Sequence, residues 1–339
     1  MTLILTRSEL AGLVTPNQVA EAVETAFADL AAGRAAQPHS EPARIGLSDP
    51  QFVPMVGLLG SGGPGSDGLV ASKLLSDIPG NRERGLPTQQ SVLVLSDAVT
   101  GGPLAVLDGA VPTRLRTAAA TRVATRHLAR RGWDSLGILG AGPLAVAHVV
   151  ALAEERELDR VLVWSRSAAT VEALRESVDR EAPGLKVVPA ASPREVVEGA
   201  DVVCTVTPSR EPLVQGEWLR PGQHLNVVGS PPRTDHREVD AATLAVARDS
   251  GLLVVDSTPA ALHESGDVAH AIAEGAITAE DCSLELARVV GGRHPGRTSD
   301  TQITVFNSVG IGLEDAAVGR LLLDAARERG LGTEISLAG

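Results

Sequence analysis

One short stretch restricts this chain more than any other: Leu136-Gly137-Ile138-Leu139-Gly140-Ala141-Gly142-Pro143-Leu144-Ala145. It reads as a hydrophobic strand, a glycine turn, and a helix opening on proline, which suits the first helical position. Gly140 allows the tight turn, Gly142 lets a ligand approach the backbone, and Ala145 is small enough for close helix–strand packing. A second strand-like run, Val161-Leu162-Val163-Trp164, arrives at the distance a βαβ unit requires. A lone G-x-G-x-x-A is weak. With strands on either side and a helix opening on it, the turn predicts a dinucleotide whose pyrophosphate rests on the helix N-terminus.

The alternation continues downstream. Strands are predicted at 135–139, 160–164, 185–189, 201–206, 224–228 and 252–255, with helices beginning near Pro143, Ser167 and Pro193. Near-continuous apolar strands in this order predict an α/β fold with a Rossmann-type, doubly wound parallel sheet. The first 110 residues follow another rule. Their first element is a helix capped by Thr15, opening on Pro16 and stopped by Gly33, with Val19, Val23, Ala26, Phe27 and Leu30 on one face. Residues 33–50 read as an extended connection. Strand-like runs follow at 52–59, 69–76, 91–96 and 103–107, the last two joined by a hairpin turn over 96–102. Thr113 is expected to cap a helix reaching about Arg131. A last helix over 312–329 is expected to pack back on this N-terminal α+β unit. The length of 339 residues favours two domains. The expected division is 1–118 with 311–339, and 119–310.

The net charge of −12 lacks the basic footprint that nucleic acid demands, and aromatics at 2% leave little for base stacking. No apolar run is long enough to cross a membrane, and the N-terminal residues lack a signal-peptide pattern, so a soluble cytoplasmic protein is expected. Cys204 sits in an apolar run as a small hydrophobe, and no disulfide framework is expected. No histidines pair at metal-ligand spacing, so no metal is expected. His127 and His148 read as surface or packing residues within helices, and His263-Glu264 as loop-to-helix structure, with a place near the pocket as the alternative. Of 30 basic residues only Lys73 and Lys186 are lysines. A chain that uses arginine almost everywhere yet keeps Lys73 in an apolar strand invites a chemical reason for it.

The end of the second Rossmann strand selects the dinucleotide. NAD sites usually place a carboxylate there for the ribose hydroxyls. Here stand Ser165-Arg166-Ser167, a guanidinium fork and two hydroxyls suited to a 2′-phosphate, so NADP(H) is favoured over NAD(H). Stacking on adenine, or plain solvation, is the competing role for Arg166.

At Pro112-Thr113-Arg114-Leu115-Arg116-Thr117-Ala118-Ala119-Ala120-Thr121 the sequence resembles the ornithine cyclodeaminase/μ-crystallin family. Matching stretches include Ser72-Lys73-Leu74, Gly85-Leu86-Pro87-Thr88, Asp97-Ala98-Val99-Thr100-Gly101, His224-Leu225-Asn226-Val227-Val228-Gly229 and Thr304-Val305-Phe306-Asn307-Ser308-Val309-Gly310. The family includes cyclodeaminases, alanine dehydrogenases, reductases of cyclic ketimines, and μ-crystallin. The resemblance implies a homodimer whose second domain carries substrate residues and the dimer interface. It assigns Arg44, Lys73 and Arg116 to the carboxylate of an amino or imino acid, with Lys73 and Arg116 catalytic. It puts Arg116, Thr88 and Ser308 beside the cofactor, and Gly140, Gly142, Pro143, Leu144, Ser165, Arg166 and Ser167 around its phosphates and ribose. Structural ion pairs are the competing role for Arg44 and Arg116, and a strand-to-helix cap that for Ser308. Asp108 resembles a residue near the pocket, although Asp-Gly is equally a turn.

Two departures matter. Pro231 occupies the place of the cyclodeaminase aspartate, and Asp235 lies several residues on and could reach in only through a different loop path. Gln51-Phe52-Val53-Pro54 offers no counterpart to the family's glutamate. A diamino acid would then have no partner for its distal ammonium, which disfavours cyclodeamination. Leu144 also replaces the family's glutamine after the glycine turn. The expectation is therefore an NADP(H)-dependent oxidoreductase acting at the α-carbon of an imino or amino acid, best a cyclic ketimine carboxylate. An alanine dehydrogenase-like enzyme, a cyclodeaminase and a non-catalytic binder are the alternatives.

Overall fold

The computed structural model describes residues 1–44, 51–60, 68–230 and 232–337, apart from the side chain of Arg44. The chain opens with β1 (Thr2–Leu5), α1 (Arg7–Leu10), α2 (Pro16–Ala31), β2 (Ala35–Ala36), β3 (Ala43–Arg44) and β4 (Gln51–Leu59). It continues through β5 (Leu69–Asp77), β6 (Gln89–Asp97), β7 (Pro103–Asp108) and α3 (Ala110–Leu128). Next come β8 (Ser135–Leu139), α4 (Pro143–Ala153), β9 (Arg160–Trp164), α5 (Ala168–Glu181), β10 (Val187–Pro189), α6 (Pro193–Gly199), β11 (Val202–Thr205) and β12 (His224–Val227). The remainder is α7 (Ala241–Ser250), β13 (Gly251–Val255), α8 (Thr258–Glu264), α9 (Gly266–Ala273), α10 (Leu286–Val290), β14 (Ile303–Asn307), α11 (Gly312–Glu328) and β15 (Thr333–Ile335). These elements form two compact units, Met1–Arg116 with Ile311–Gly339, and Thr117–Gly310.

In the first unit the strands lie in the order β15-β1-β7-β6-β5-β4-β2, with β3 also on β4. All pairs are antiparallel except β1–β7. The period-2 pattern decides the two faces. Leu69, Ala71 and Leu75 of β5 and Leu93 and Leu95 of β6 are buried, and α11 packs on β4, β5 and β6 and against α2. On the opposite face Leu74 and Val92 stand directly across from each other, 45% and 40% exposed. α11 reaches its sheet through two glycines, since a Cβ on either Gly57 or Gly312 would strike the other strand or helix's backbone.

In the second unit seven parallel strands run β10-β9-β8-β11-β12-β14-β13. Leu139, Val203, Leu225 and Val227 join Val196 of α6, Leu244 of α7 and Val268 of α9 in one core. Asn226 reaches the other way, to Thr125 Oγ1 of α3 at 3.0 Å. Helices therefore cover both faces, as a doubly wound sheet requires.

Some expectations shift. β1 and α1 both precede the first predicted helix, and β15 adds a strand antiparallel to β1. Helix α3 starts at Ala110, not after Thr113, because the Asp108 carboxylate accepts from Ala110 N at 3.1 Å and Thr113 N already donates to Gly109 O. Helices α7, α9 and α10 were not predicted, although Asp240 caps α7 and Ser265 caps α9; His263-Glu264, read as loop-to-helix structure, lies in α8.

Candidate functional site

The glycine turn sits at the C-terminal end of β8, and α4 begins immediately after it. Gly140 has φ +116°, a region that L side chains rarely adopt, and a Cβ there would crowd Val206 O. Gly142 is the N-cap of α4. Gly142 and Pro143 are exposed, Leu144 is half-buried, and Ala145 is fully buried against the sheet. The turn also stands where the strand order reverses, between β8 and β11, which is where open α/β sheets take ligands. These residues fit a dinucleotide phosphate: first-turn N–H groups lie at an open helix end, and no Cβ stands in the way at Gly142.

At the end of β9, Arg166 and Ser167 are exposed and Ser165 is half-buried, with its Oγ accepting from Thr170 Oγ1 at 3.1 Å. Ser167 is the N-cap of α5. α4 is tied to α3 by His148, whose Nε2 lies 2.9 Å from Thr121 Oγ1 and whose Nδ1 lies 2.8 Å from Leu144 O. Complete burial pushes this imidazole down to about 4, so it is neutral, a packing residue as expected.

Two carboxylates brace loops at the strand ends. Glu238 accepts from Thr205 Oγ1 (2.7 Å), Thr207 N (2.6 Å), Thr207 Oγ1 (2.7 Å) and Gly229 N (2.8 Å), joining the segments after β11 and β12. Asp256 accepts from Ser308 Oγ (2.7 Å), Val309 N (2.9 Å) and Gly310 N (2.7 Å) after β14. Ser308 is thus held by Asp256. In the His263-Glu264 segment, His263 is exposed and Glu264 is buried at the end of α8; burial, with Asp256 nearby, raises the Glu264 carboxyl to about 8.

In the first unit two cations lie buried side by side. Lys73, on the covered face of β5, places Nζ 2.9 Å from Asp315 Oδ1, 2.7 Å from Asp315 Oδ2 and 3.5 Å from Thr113 Oγ1. Arg116 of α3 places Nη1 2.9 Å from Glu314 Oε2 and Nε 3.9 Å from Asp315 Oδ1. Burial pulls the Lys73 ammonium down to about 8, Asp315 pulling the other way. Glu314 and Asp315 stand in the first turn of α11, where the helix dipole favours anions. Sequence reading missed both. Their one signal is a pair of carboxylates inside Leu313-Glu314-Asp315-Ala316-Ala317-Val318, an otherwise apolar run.

Thr88 is half-buried just before β6, its carbonyl accepting from Ile78 N. The backbone of Arg44 pairs with Gln51 across β3 and β4, and its side chain lies outside what the structure describes, as does Pro231. Asp108 caps α3 and pairs with Arg7 at 3.1 Å, the turn role rather than the pocket one. Both cysteines are buried. Among the described residues no cluster could hold a metal ion, and no helix is long and apolar enough to cross a membrane.

Comparison with known proteins places this geometry. A rat ketimine reductase mu-crystallin is 38% identical over 256 residues, 76% of each chain. The structure of Thermococcus litoralis Δ1-pyrroline-2-carboxylate reductase, in complex with NADH and L-proline, superposes with a TM-score of 0.91 at 34% identity, covering 98% of this chain and 100% of that one. An archaeal alanine dehydrogenase dimer with bound NAD superposes at 0.89 with 29% identity over 99% of both. The family model for the ornithine cyclodeaminase/mu-crystallin family matches residues 1–330. The chain belongs to that family.

Proposed function

We propose that this protein is an NADP(H)-dependent reductase that acts on the C=N bond of an imino acid, with a cyclic ketimine carboxylate such as pyrroline- or piperideine-2-carboxylate as substrate. The observation that carries the reading is the buried pair Lys73 and Arg116, in a chain that matches along its length a reductase holding NADH and proline. When bound, the reduced nicotinamide supplies hydride to the imine carbon. Everything else falls to the chain's own residues.

Arg116, with Arg44, takes the substrate carboxylate. A guanidinium carries five N–H donors in a planar fork, a geometry that matches a carboxylate bidentately. That grip fixes the α-carbon. Lys73 holds a proton near the imine nitrogen, where electrons from the broken π bond arrive; a pKa pulled toward neutrality suits proton transfer. Gly140, Gly142, Pro143 and Leu144 receive the pyrophosphate, Thr88 and Ser308 approach the nicotinamide, and Ser165, Arg166 and Ser167 favour the 2′-phosphate of NADP(H). Cyclodeamination is disfavoured, because Pro231 and Gln51 offer no anion to a distal ammonium. The exposed face of the first unit's sheet, around Leu74 and Val92, is proposed as a homodimer interface; the archaeal alanine dehydrogenase is a dimer.

The test is NADPH oxidation screened over cyclic ketimines and over 2-oxo acids with ammonia. Turnover confined to the ketimines supports the substrate class. Turnover only with pyruvate and ammonia replaces it with an alanine dehydrogenase. NADPH binding without turnover anywhere makes the chain a binder.

A further inference from the structure

The proposed reaction uses Lys73 and Arg116, but it leaves the two carboxylates that hold them without a part. A buried ion pair is weak evidence of stabilisation, since apolar residues of similar volume do as well or better. The position of Lys73 is a case in point. Its register neighbours are Met55 on β4 and Leu93 on β6, and a leucine or methionine there would complete the apolar core. The chain instead keeps one of its two lysines at this place and sets Asp315 against it through both oxygens. The backbone is shaped for the contact, because the mutual approach of Gly57 and Gly312 brings the first turn of α11 down onto the sheet.

The charges facing Lys73 are Asp315 and Glu314 from α11 and Arg116 from α3, with Thr113 of α3 adding a neutral hydroxyl. The lysine's register neighbours on β4 and β6 are the apolar Met55 and Leu93. Burial opposes the ammonium most, Arg116 opposes it further, and the two carboxylates favour it. Of these, Asp315 alone is in contact with Nζ.

We propose that Asp315 is a positioning residue that keeps the Lys73 ammonium charged and aimed, so that this carboxylate acts on the substrate through the lysine. Glu314 does the corresponding work for Arg116. The inference rests on the function proposed above, in which the protonated lysine is the active form. Removing the anion from Asp315 takes away the charge in contact with Nζ and leaves Glu314 against burial and Arg116, so Lys73 loses its proton at lower pH. Activity that needs the ammonium is then lost from the alkaline side.

The lysine count makes this directly readable. With isotope-labelled lysine, the side-chain NMR spectrum holds two signals: buried Lys73 and exposed Lys186, which serves as the internal reference. Asp315→Asn is expected to lower the Lys73 titration by about 1–3 pH units and leave Lys186 unmoved. The alkaline limb of kcat/KM should move to lower pH by the same amount. Asp315→Glu, which restores the anion, should hold the titration near that of the native chain. Adding Asp315→Asn to Lys73→Met should cost no further turnover, because the carboxylate then has no lysine to act through. A Lys73 titration and an alkaline limb that both stay put in folded Asp315→Asn would overturn the inference, as would additive losses in the double variant. If Asp315→Asn does not fold, the native protein decides, and a Lys73 already neutral at the pH of maximal turnover overturns the inference. Failure of the proposed function is a separate result: the native protein then oxidises NADPH with no imino acid, whatever the titration shows.

Discussion

Replacing Arg166 tests the cofactor preference with the least disturbance to the fold. The residue lies just beyond β9, exposed, one position before the N-cap of α5. Arg166→Ala therefore removes no core contact, and its melting temperature should stay within the scatter of ordinary surface substitutions. What it removes is a charged fork for a 2′-phosphate. Charge-assisted hydrogen bonds are among the stronger ones, but an exposed pair shares its partner with water and salt. The low end of their range converts to about a tenfold rise in the KM for NADPH. The KM for NADH should not move, because that cofactor offers no phosphate there. Arg166→Asp should go further, repelling the 2′-phosphate while accepting from the ribose hydroxyls, so that NADH becomes the better cofactor. Steady-state kinetics with both cofactors, at low and high ionic strength, supply the readout. The preference proposed for NADPH should shrink in the native protein as salt rises, and the variant should show no such trend. Equal changes for the two cofactors, or no change for either, would refute the assignment of Arg166 to the phosphate.

Gly140→Ala forces a side chain onto φ +116° and toward Val206 O; a loss of about 2 kcal/mol of stability and of NADPH binding is expected, read by thermal unfolding and fluorescence titration. His148 is neutral in the fold, with its pKa at about 4 against 6.5 when unfolded. Unfolded chains therefore bind the extra proton first, stability falls as pH drops from 6.5 toward 4, and about 2 kcal/mol should go between neutrality and pH 5. Urea unfolding of His148→Gln at the two pH values should show a smaller loss. Leu74→Asp with Val92→Asp places two carboxylates on the exposed sheet face, and sedimentation should find a monomer for the variant and a dimer for the native chain.

Much of this arrangement was legible because it rests on local rules. Thr15, Pro16 and Gly33 bound a helix by their backbone preferences, and the capping bond of Thr15 to Gln18 N is present in the structure. The Rossmann strands announced themselves because a parallel strand buried on both faces must be apolar throughout. Helices α8 and α10 are too short for a 3.6-residue period to emerge. The start of α3 was misplaced because two caps competed, and the Asp108 carboxylate outranked the Thr113 hydroxyl. The sequence could flag Lys73 by rarity and Arg116 by resemblance. It could not pair them with Asp315 and Glu314, some 200 residues away, because those contacts depend on how α11 lands on the sheet, and that landing depends on Gly57 and Gly312. Asp256 and Glu238 escaped for a similar reason: each is a single carboxylate whose partners are backbone N–H groups and hydroxyls of loops distant in sequence.

The central claim is that hydride reaches the α-carbon of an imino acid held by Lys73 and Arg116. The most direct measurement supplies NADPH deuterated at the transferred position together with pyrroline-2-carboxylate, and examines the proline formed by mass spectrometry and NMR. The account predicts one deuterium per proline, at the α-carbon, with the yield cut steeply but measurably in Lys73→Met and in Arg116→Met. Proline free of deuterium, or labelled product formed as readily by those variants, would contradict it.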